Sequence, residues 1–235
     1  MAPTGTRAAA ICAAVLIAPL LAACGSSSSP TSAPSKGNGL AAQSPAAILG
    51  AVAAAAKGLH SVHITGSTGT GGRPIALDMT LVANKGATGS MSLGGAGFRV
   101  VAVGKTIYIS GSDAFWRRFA GPAASLFAGR WLKAPETGQF GSFAQLTNLR
   151  ELFGKLLIGH GRLTKGDPIT VNGVRVVPLT DKAKGGTLYV ATTGAPYPVE
   201  IYKSGSGGGH FYFSRFNQPA TLTAPANAID INKLG

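Results

Sequence analysis

The sequence predicts an α+β fold: a meander of short antiparallel strands, apolar on one face, with helices covering that face. Three observations predict it. Apolar residues recur at every second position after His60, as in Ile75, Leu77, Met79 and Leu81 set between Ala76, Asp78, Thr80 and Val82, which is the pattern of a half-buried strand. Asn/Gly-rich dipeptides separate these runs at intervals too short for crossover helices, so neighbouring strands pair antiparallel. Two segments instead space their apolar residues by three and four, the helical period.

Each element follows in order. Ser44-Pro45 starts a helix, with a capping hydroxyl and a proline tolerated at the first helical position. Ile48, Val52, Ala55 and Leu59 then share a face, and Gly58 marks the end. Strands follow over 75–82, through Met91 and Leu93, over Phe98, Val100 and Ala102, and over 106–110, with turns at Asn84-Lys85-Gly86 and Gly104-Lys105. Residues 113–127 read as one or two short helices split at Gly121-Pro122, and Trp131-Leu132-Lys133 as a brief strand. Phe143, Leu146, Leu149 and Phe153 place a helix over 142–154. Asn172-Gly173 between 169–171 and 174–177 is the strongest hairpin signature, since both residues suit a type I′ turn. Strands over 187–191, 199–203 and 210–216 complete the meander.

Composition narrows the function. The 235 residues carry 21 Lys+Arg against 8 Asp+Glu, a formal charge of +13, and are 45% apolar. That is too hydrophobic for a chain disordered throughout. Two cysteines cannot build a disulfide scaffold or an all-thiolate zinc site, and few carboxylates leave little for calcium or for paired acid/base chemistry. The basic groups are scattered, Arg117-Arg118 being the longest uninterrupted basic pair. An anionic envelope surface fits this better than nucleic acid.

The first segment sets the compartment. Arg7 precedes a 13-residue apolar stretch, Ala8–Leu20, too short to span about 30 Å of hydrocarbon but right for a secretory signal. It ends Leu21-Ala22-Ala23-Cys24-Gly25, which resembles the bacterial lipobox. That resemblance implies cleavage of 1–23 by signal peptidase II and a diacylglyceryl group on Cys24. Two acyl chains anchor stably where one binds only marginally, so the protein is expected on the outer face of the cell membrane. Cleavage leaves a mature formal charge of +12. Residues 24–43 are Ser/Pro/Gly-rich and read as a lipidated N-terminus with a disordered linker, whose 19 residues after the cysteine reach about 24 Å. Residues 44–235 form the single folded domain.

Tempting motifs dissolve on spacing. Gly104-Lys105-Thr106 lacks the earlier glycine of a phosphate loop, since residue 99 is Arg, and lies between strands. His60 and His63 fall where the helix ends, and neither a Gly-x-Ser-x-Gly elbow nor a dinucleotide fingerprint occurs. The sequence therefore predicts no enzyme, no metal and no cofactor.

The domain resembles the actinobacterial LppX/LprG-type lipoproteins of the LolA/LolB-like carrier superfamily, over about 45–234. The resemblance rests on 59–64 (LHSVHI), 87–91 (ATGSM), 104–108 (GKTIY), 129–133 (GRWLK), 171–173 (VNG), 197–201 (YPVEI) and 213–219 (FSRFNQP). It implies a curved half-barrel with helices over the concave face, and a lipid or acylated glycolipid held between sheet and helices and moved across the envelope. On that reading Ile75, Leu77, Met79, Leu81, Met91, Leu93, Phe98, Val100, Ile107, Leu188, Val199, Ile201, Phe211 and Phe213 line the sheet side. Phe143, Leu146 and Leu149 line the helical side. The expected partners are the membrane, through lipidated Cys24, a lipid ligand and an anionic envelope surface, with no nucleic acid, and the protein is expected to be monomeric. The competing reading is an envelope interaction module whose interior is filled by side chains.

Overall fold

The computed structural model describes residues 36–69, 74–137, 141 and 149–233. The signal segment, Cys24, the linker up to residue 35, and Phe143 and Leu146 lie outside the described residues.

The strands are β1 (Ser61–Thr68), β2 (Ile75–Val82), β3 (Gly86–Leu93), β4 (Ala96–Val103), β5 (Thr106–Gly111), β6 (Leu132–Pro135), β7 (Leu163–Lys165), β8 (Ile169–Val171), β9 (Val174–Asp181), β10 (Gly186–Ala191), β11 (Pro198–Lys203), β12 (Gly209–Ser214) and β13 (Ile229–Asp230). They form one open, curved sheet of 13 strands in the order β13-β6-β5-β4-β3-β2-β1-β12-β11-β10-β9-β7, with β8 on β9. Every pairing is antiparallel except β6 with β13. β1 joins the two halves of the sheet, because it pairs with β12 as well as β2. The sequence reading gives no range to β1, whose alternation of Val62 and Ile64 stops at Gly66, or to β7 and β13, of three and two residues, too short to show a period.

Three α-helices are described: α1 (Pro45–Lys57), α2 (Asp113–Phe119) and α3 (Leu149–Ile158). Ser44 caps α1 by accepting from the Ala47 N–H at 3.3 Å, and Ser112 caps α2 by accepting from Phe115 at 3.2 Å. Gly121-Pro122 ends the α2 excursion in a 3₁₀ turn over Gly121–Leu126. Asn172 and Gly173 both take positive φ, 48° and 78°, as the β8–β9 turn requires.

Register fixes which residues share a face. One cross-strand row runs Leu179, Leu188, Ile201, Phe211, Gly66, Leu77, Met91, Phe98, Gly111. This face carries the core. Under α1, Ile48 and Val52 pack on Val177, Leu179 and Val190. Under α3, Leu149 and Phe153 join Val62, Ile64, Met79 and Phe213. At the far end Phe115 and Trp116 of α2 fill the space over Phe98, whose ring lies 4.6 Å from that of Phe115.

Two expectations are corrected. Residues 37–43 are seated on the domain and do not belong to a free linker. Gly37 bridges Thr193, the Asn38 amide donates to the carbonyls of Ala191 and Gly194, and Leu40 is buried against the α1 cluster. Composition cannot reveal this, because a single apolar side chain and one amide do the anchoring. Val199 does not share the face of Ile201. A register shift pairs Tyr189 with Glu200 but Val190 with Pro198, and Val199 is turned out to pack with Val176 and Ala191. Such a bulge breaks the period of two on which the sequence reading relied.

Candidate functional site

Between the sheet and α3 lies a cavity of about 160 Å³ lined by Ile64, Leu77, Met79, Leu81, Met91, Leu152, Leu156, Ile201, Phe211 and Phe213. Every described lining residue is apolar. A cavity of comparable size lined by Leu, Ile and Phe stays dry and takes small apolar ligands. The strands set its floor by register: Ile64 lies between Met79 and Phe213, Leu77 beside Met91, and Ile201 beside Phe211. The helix sets its roof. Leu149 and Phe153 point into the packed core, the Phe153 ring 5.7 Å from Phe213. Leu152 and Leu156, four apart on the adjoining stripe, face the hollow.

Two glycines keep the floor concave. A Cβ on Gly66 would run into the backbone of His210 and Phe211, and one on Gly89 into the Asp78 carbonyl and the Met79 sulfur. Neither position can hold a side chain, and both stand in rows that border the cavity.

Two more polar depressions share lining residues with the cavity. An open groove of about 620 Å³ counts Leu77 and Met91 in its lining, but its polar residues Asp78, Ser90, Arg99 and Ser110 form the neighbouring cross-strand row, on the opposite face of the sheet. Leu156 and Ile201 also line a hollow of about 330 Å³, with Lys155, His160, Asp181, Lys184 and Lys203 among its other lining residues. The charges there are tied down. The Asp181 carboxylate accepts from the backbone N–H groups of Gly161 at 2.6 Å, Ala183 at 3.0 Å and Lys184 at 3.1 Å. These bonds, Gly161's foremost, hold its pKa below the ordinary value against the opposing effect of burial. Lys184 Nζ caps the end of α3 on the Gly159 carbonyl at 2.7 Å, and Lys155 pairs with Glu151 at 2.7 Å.

Seven of the residues expected on the sheet side line the cavity: Leu77, Met79, Leu81, Met91, Ile201, Phe211 and Phe213. Ile75 and Leu93 pair with each other on the same face but lie beyond it, at the strand ends. Phe98, Val100 and Ile107 are buried in solid core toward α2, which closes over that end of the sheet. Leu188 lines the hollow with Asp181 and packs toward α1. Leu149 is core, one turn short of the roof. Phe143 and Leu146 lie outside the described residues. The sequence reading missed Ile64, Leu152 and Leu156. The spacing 149, 152, 156 carries the same helical period as 149, 153 and would have marked the second stripe.

The opposite face holds a different cluster. His63 Nε2 meets Asp78 Oδ1 at 2.7 Å, and Ser214 Oγ meets His63 Nδ1 at 3.5 Å. These are the residue types of a hydrolase triad, but Asp78 and Ser214 are exposed. They stand on interior strands, whose backbone donors are committed to the ladders and leave none to stabilise an oxyanion. Burial, with Glu200 next, raises the pKa of Tyr189 and of Tyr212 nearby. Among the described residues no cluster of three metal-ligating side chains occurs, and no helix is long and apolar enough to cross a membrane.

No family model and no curated protein matches the sequence. Solved structures do. LprF from Mycobacterium bovis superposes with a TM-score of 0.54 at 16% identity, covering 77% of this chain and 98% of that one. The Mycobacterium tuberculosis lipoprotein LppX superposes with a TM-score of 0.51 at 20% identity, covering 77% of this chain and 100% of that one. The chain has the LppX/LprG-type fold. In that fold the apolar cavity of this chain sits between the concave face and α3, where the resemblance in sequence predicted a ligand space. The β1–β12 pair brings Phe211 and Phe213 to the cavity.

Proposed function

We propose that this protein is a membrane-tethered lipoprotein that binds an apolar chain of a lipid or acylated glycolipid without chemistry, and carries it within the cell envelope. The observation that supports the reading is the wholly apolar cavity beneath α3. Burying hydrocarbon yields about 25 cal/mol per Å², and the site has no polar group that ligand would leave unpaired. A more polar hollow that shares Leu156 and Ile201 with the cavity is the nearest place for a polar end. Cys24 supplies the anchor, and the +12 mature charge attracts the body to anionic envelope surfaces.

A second reading has its own observation. The end of the concave face under α2 is filled by Phe98, Phe115 and Trp116, and a 160 Å³ cavity is below the usual ~300–1,000 Å³ of ligand pockets. On that reading the domain is an envelope interaction module with a packed core.

One experiment separates them. The body 26–235 is expressed with and without its natural membrane and examined by native mass spectrometry after lipid extraction. Carriage predicts a stoichiometric lipid adduct and binding of a fluorescent acyl probe; absence of both assigns the module. The anchor is tested separately: Cys24→Ser should move the full-length protein from the membrane fraction to the soluble one, and unchanged partitioning would remove lipidation from the account.

A further inference from the structure

A second depression, of about 410 Å³, shares no lining residue with the apolar cavity. Its three cationic groups come from separate places, Lys57 in the last turn of α1, Lys85 in the β2–β3 turn and Arg150 on α3, and the His60 imidazole ahead of β1 stands beside them. Leu59 and Leu149, both buried in the main core, belong to its wall. Among the described residues no carboxylate lines it. Among the described residues the side chains of Lys57, Lys85 and Arg150 make no ion pair. Concentrating three cations around one concavity without an acid raises a positive potential that favours an anion there. The arginine fork matches a phosphate, and lysines supply point charge around it.

Position supplies the second argument. The depression lies along one edge of the sheet, where β1 begins and β2 ends. Hydrogen bonds connect that edge laterally: Ala83 N–H to the His60 carbonyl, His60 N–H to Asn217 Oδ1, and Asn217 Nδ2 to the Tyr197 hydroxyl. At the same edge Asn38 is fixed to Thr192 and Ala191, at the end of β10. The chain therefore joins the domain three strand intervals from β1, about 14 Å at ~4.8 Å per interval. Cys24, the expected lipid anchor, lies only 12 positions before Lys36 in the sequence.

We propose that this depression is a phosphate site that docks the domain on an anionic phospholipid headgroup at the membrane surface. The proposal rests on the reading of a tethered body at an anionic surface; it is independent of what fills the apolar cavity. All the side chains that carry it are exposed, so their substitution leaves the core intact.

The test is co-sedimentation of the body 26–235 with phosphatidylcholine vesicles that contain or lack phosphatidylglycerol. The combined variant Lys57→Ala, Lys85→Ala, Arg150→Ala is set against Arg162→Ala, Lys182→Ala, Lys203→Ala, which removes the same charge elsewhere. The first should lose about a hundredfold in apparent affinity for the anionic vesicles, and the second at most a few-fold. Arg150→Lys alone should fall between wild type and the triple variant, because charge remains and the fork is lost. Equal losses in the two triple variants would overturn the pocket while leaving diffuse attraction to the surface intact. A wild-type body that ignores phosphatidylglycerol would overturn the surface reading itself. Inorganic phosphate should displace the body only weakly; tight, saturable phosphate binding that abolishes vesicle binding would assign the pocket to a soluble ligand and overturn the lipid assignment. Unchanged circular dichroism and urea midpoints confirm that the variants are folded.

Discussion

Asp181 shows how one residue can serve the fold beside a functional space. It is buried at the end of β9, and its carboxylate gathers two backbone donors from the turn into β10 and a third, Gly161, from the segment between α3 and β7. Its folded pKa is lowered, so its stabilisation is complete above the ordinary carboxylate range near pH 4 and is lost as the pH falls through the lowered value. The stability gap between wild type and Asp181→Asn, measured by urea denaturation, should therefore be largest at neutral pH and shrink on acidification. A pH-independent gap would show that the charge is not involved. Gly66 serves differently. A methyl there meets the His210 backbone, so Gly66→Ala should destabilise by roughly 1–3 kcal/mol, and a urea midpoint unchanged from wild type would refute the close approach.

At the scale of elements, α3 divides its apolar side chains between two tasks. Leu149 and Phe153 hold the helix to the sheet, while Leu152 and Leu156 leave a gap above it. Leu156→Trp should fill that gap. We expect acyl-probe binding to fall more than tenfold while the urea midpoint stays within about 1.5 kcal/mol of wild type, since the indole enters existing space. Loss of both would mean that Leu156 is core. The sheet makes a similar division: alternation along β2 and β3 set the face, but the bulge in β10–β11 removed Val199 from it. Alternation is a local property of extended backbone, whereas a bulge answers to the fit of two strands.

At the scale of the whole molecule, the described core does not begin at α1. Leu40 enters the cluster of Ile48, Val52, Val177, Leu179 and Val190, and Asn38 is fixed to the end of β10. All these elements belong to one compact unit over residues 35–235, so the body 26–235 retains its whole fold. A shorter body starting at residue 44 should lose about 1.5–3 kcal/mol, the value of one buried leucine side chain, measured by denaturant midpoint. Equal stability would return residues 37–43 to the linker.

The sequence alone determined the class of fold, the order of most strands, the Asn172-Gly173 hairpin, the cap of α1 and seven residues of the cavity wall. All of these follow from chain-local rules: a period of two or of 3.6, a capping hydroxyl, a turn that needs positive φ. The tertiary structure alone decided which apolar residues face empty space and which are packed solid. Phe98 and Phe213 read alike in sequence, yet the first is covered by α2 and the second borders the cavity beneath α3. Whether an apolar residue ends in core or in a cavity depends on what a distant segment places above it, and hydrophobicity along the chain carries no record of that. The same holds for Lys57, Lys85 and Arg150, scattered cations in the sequence that meet because the last turn of α1, the first described turn of α3 and a β-turn come together at one margin of the sheet.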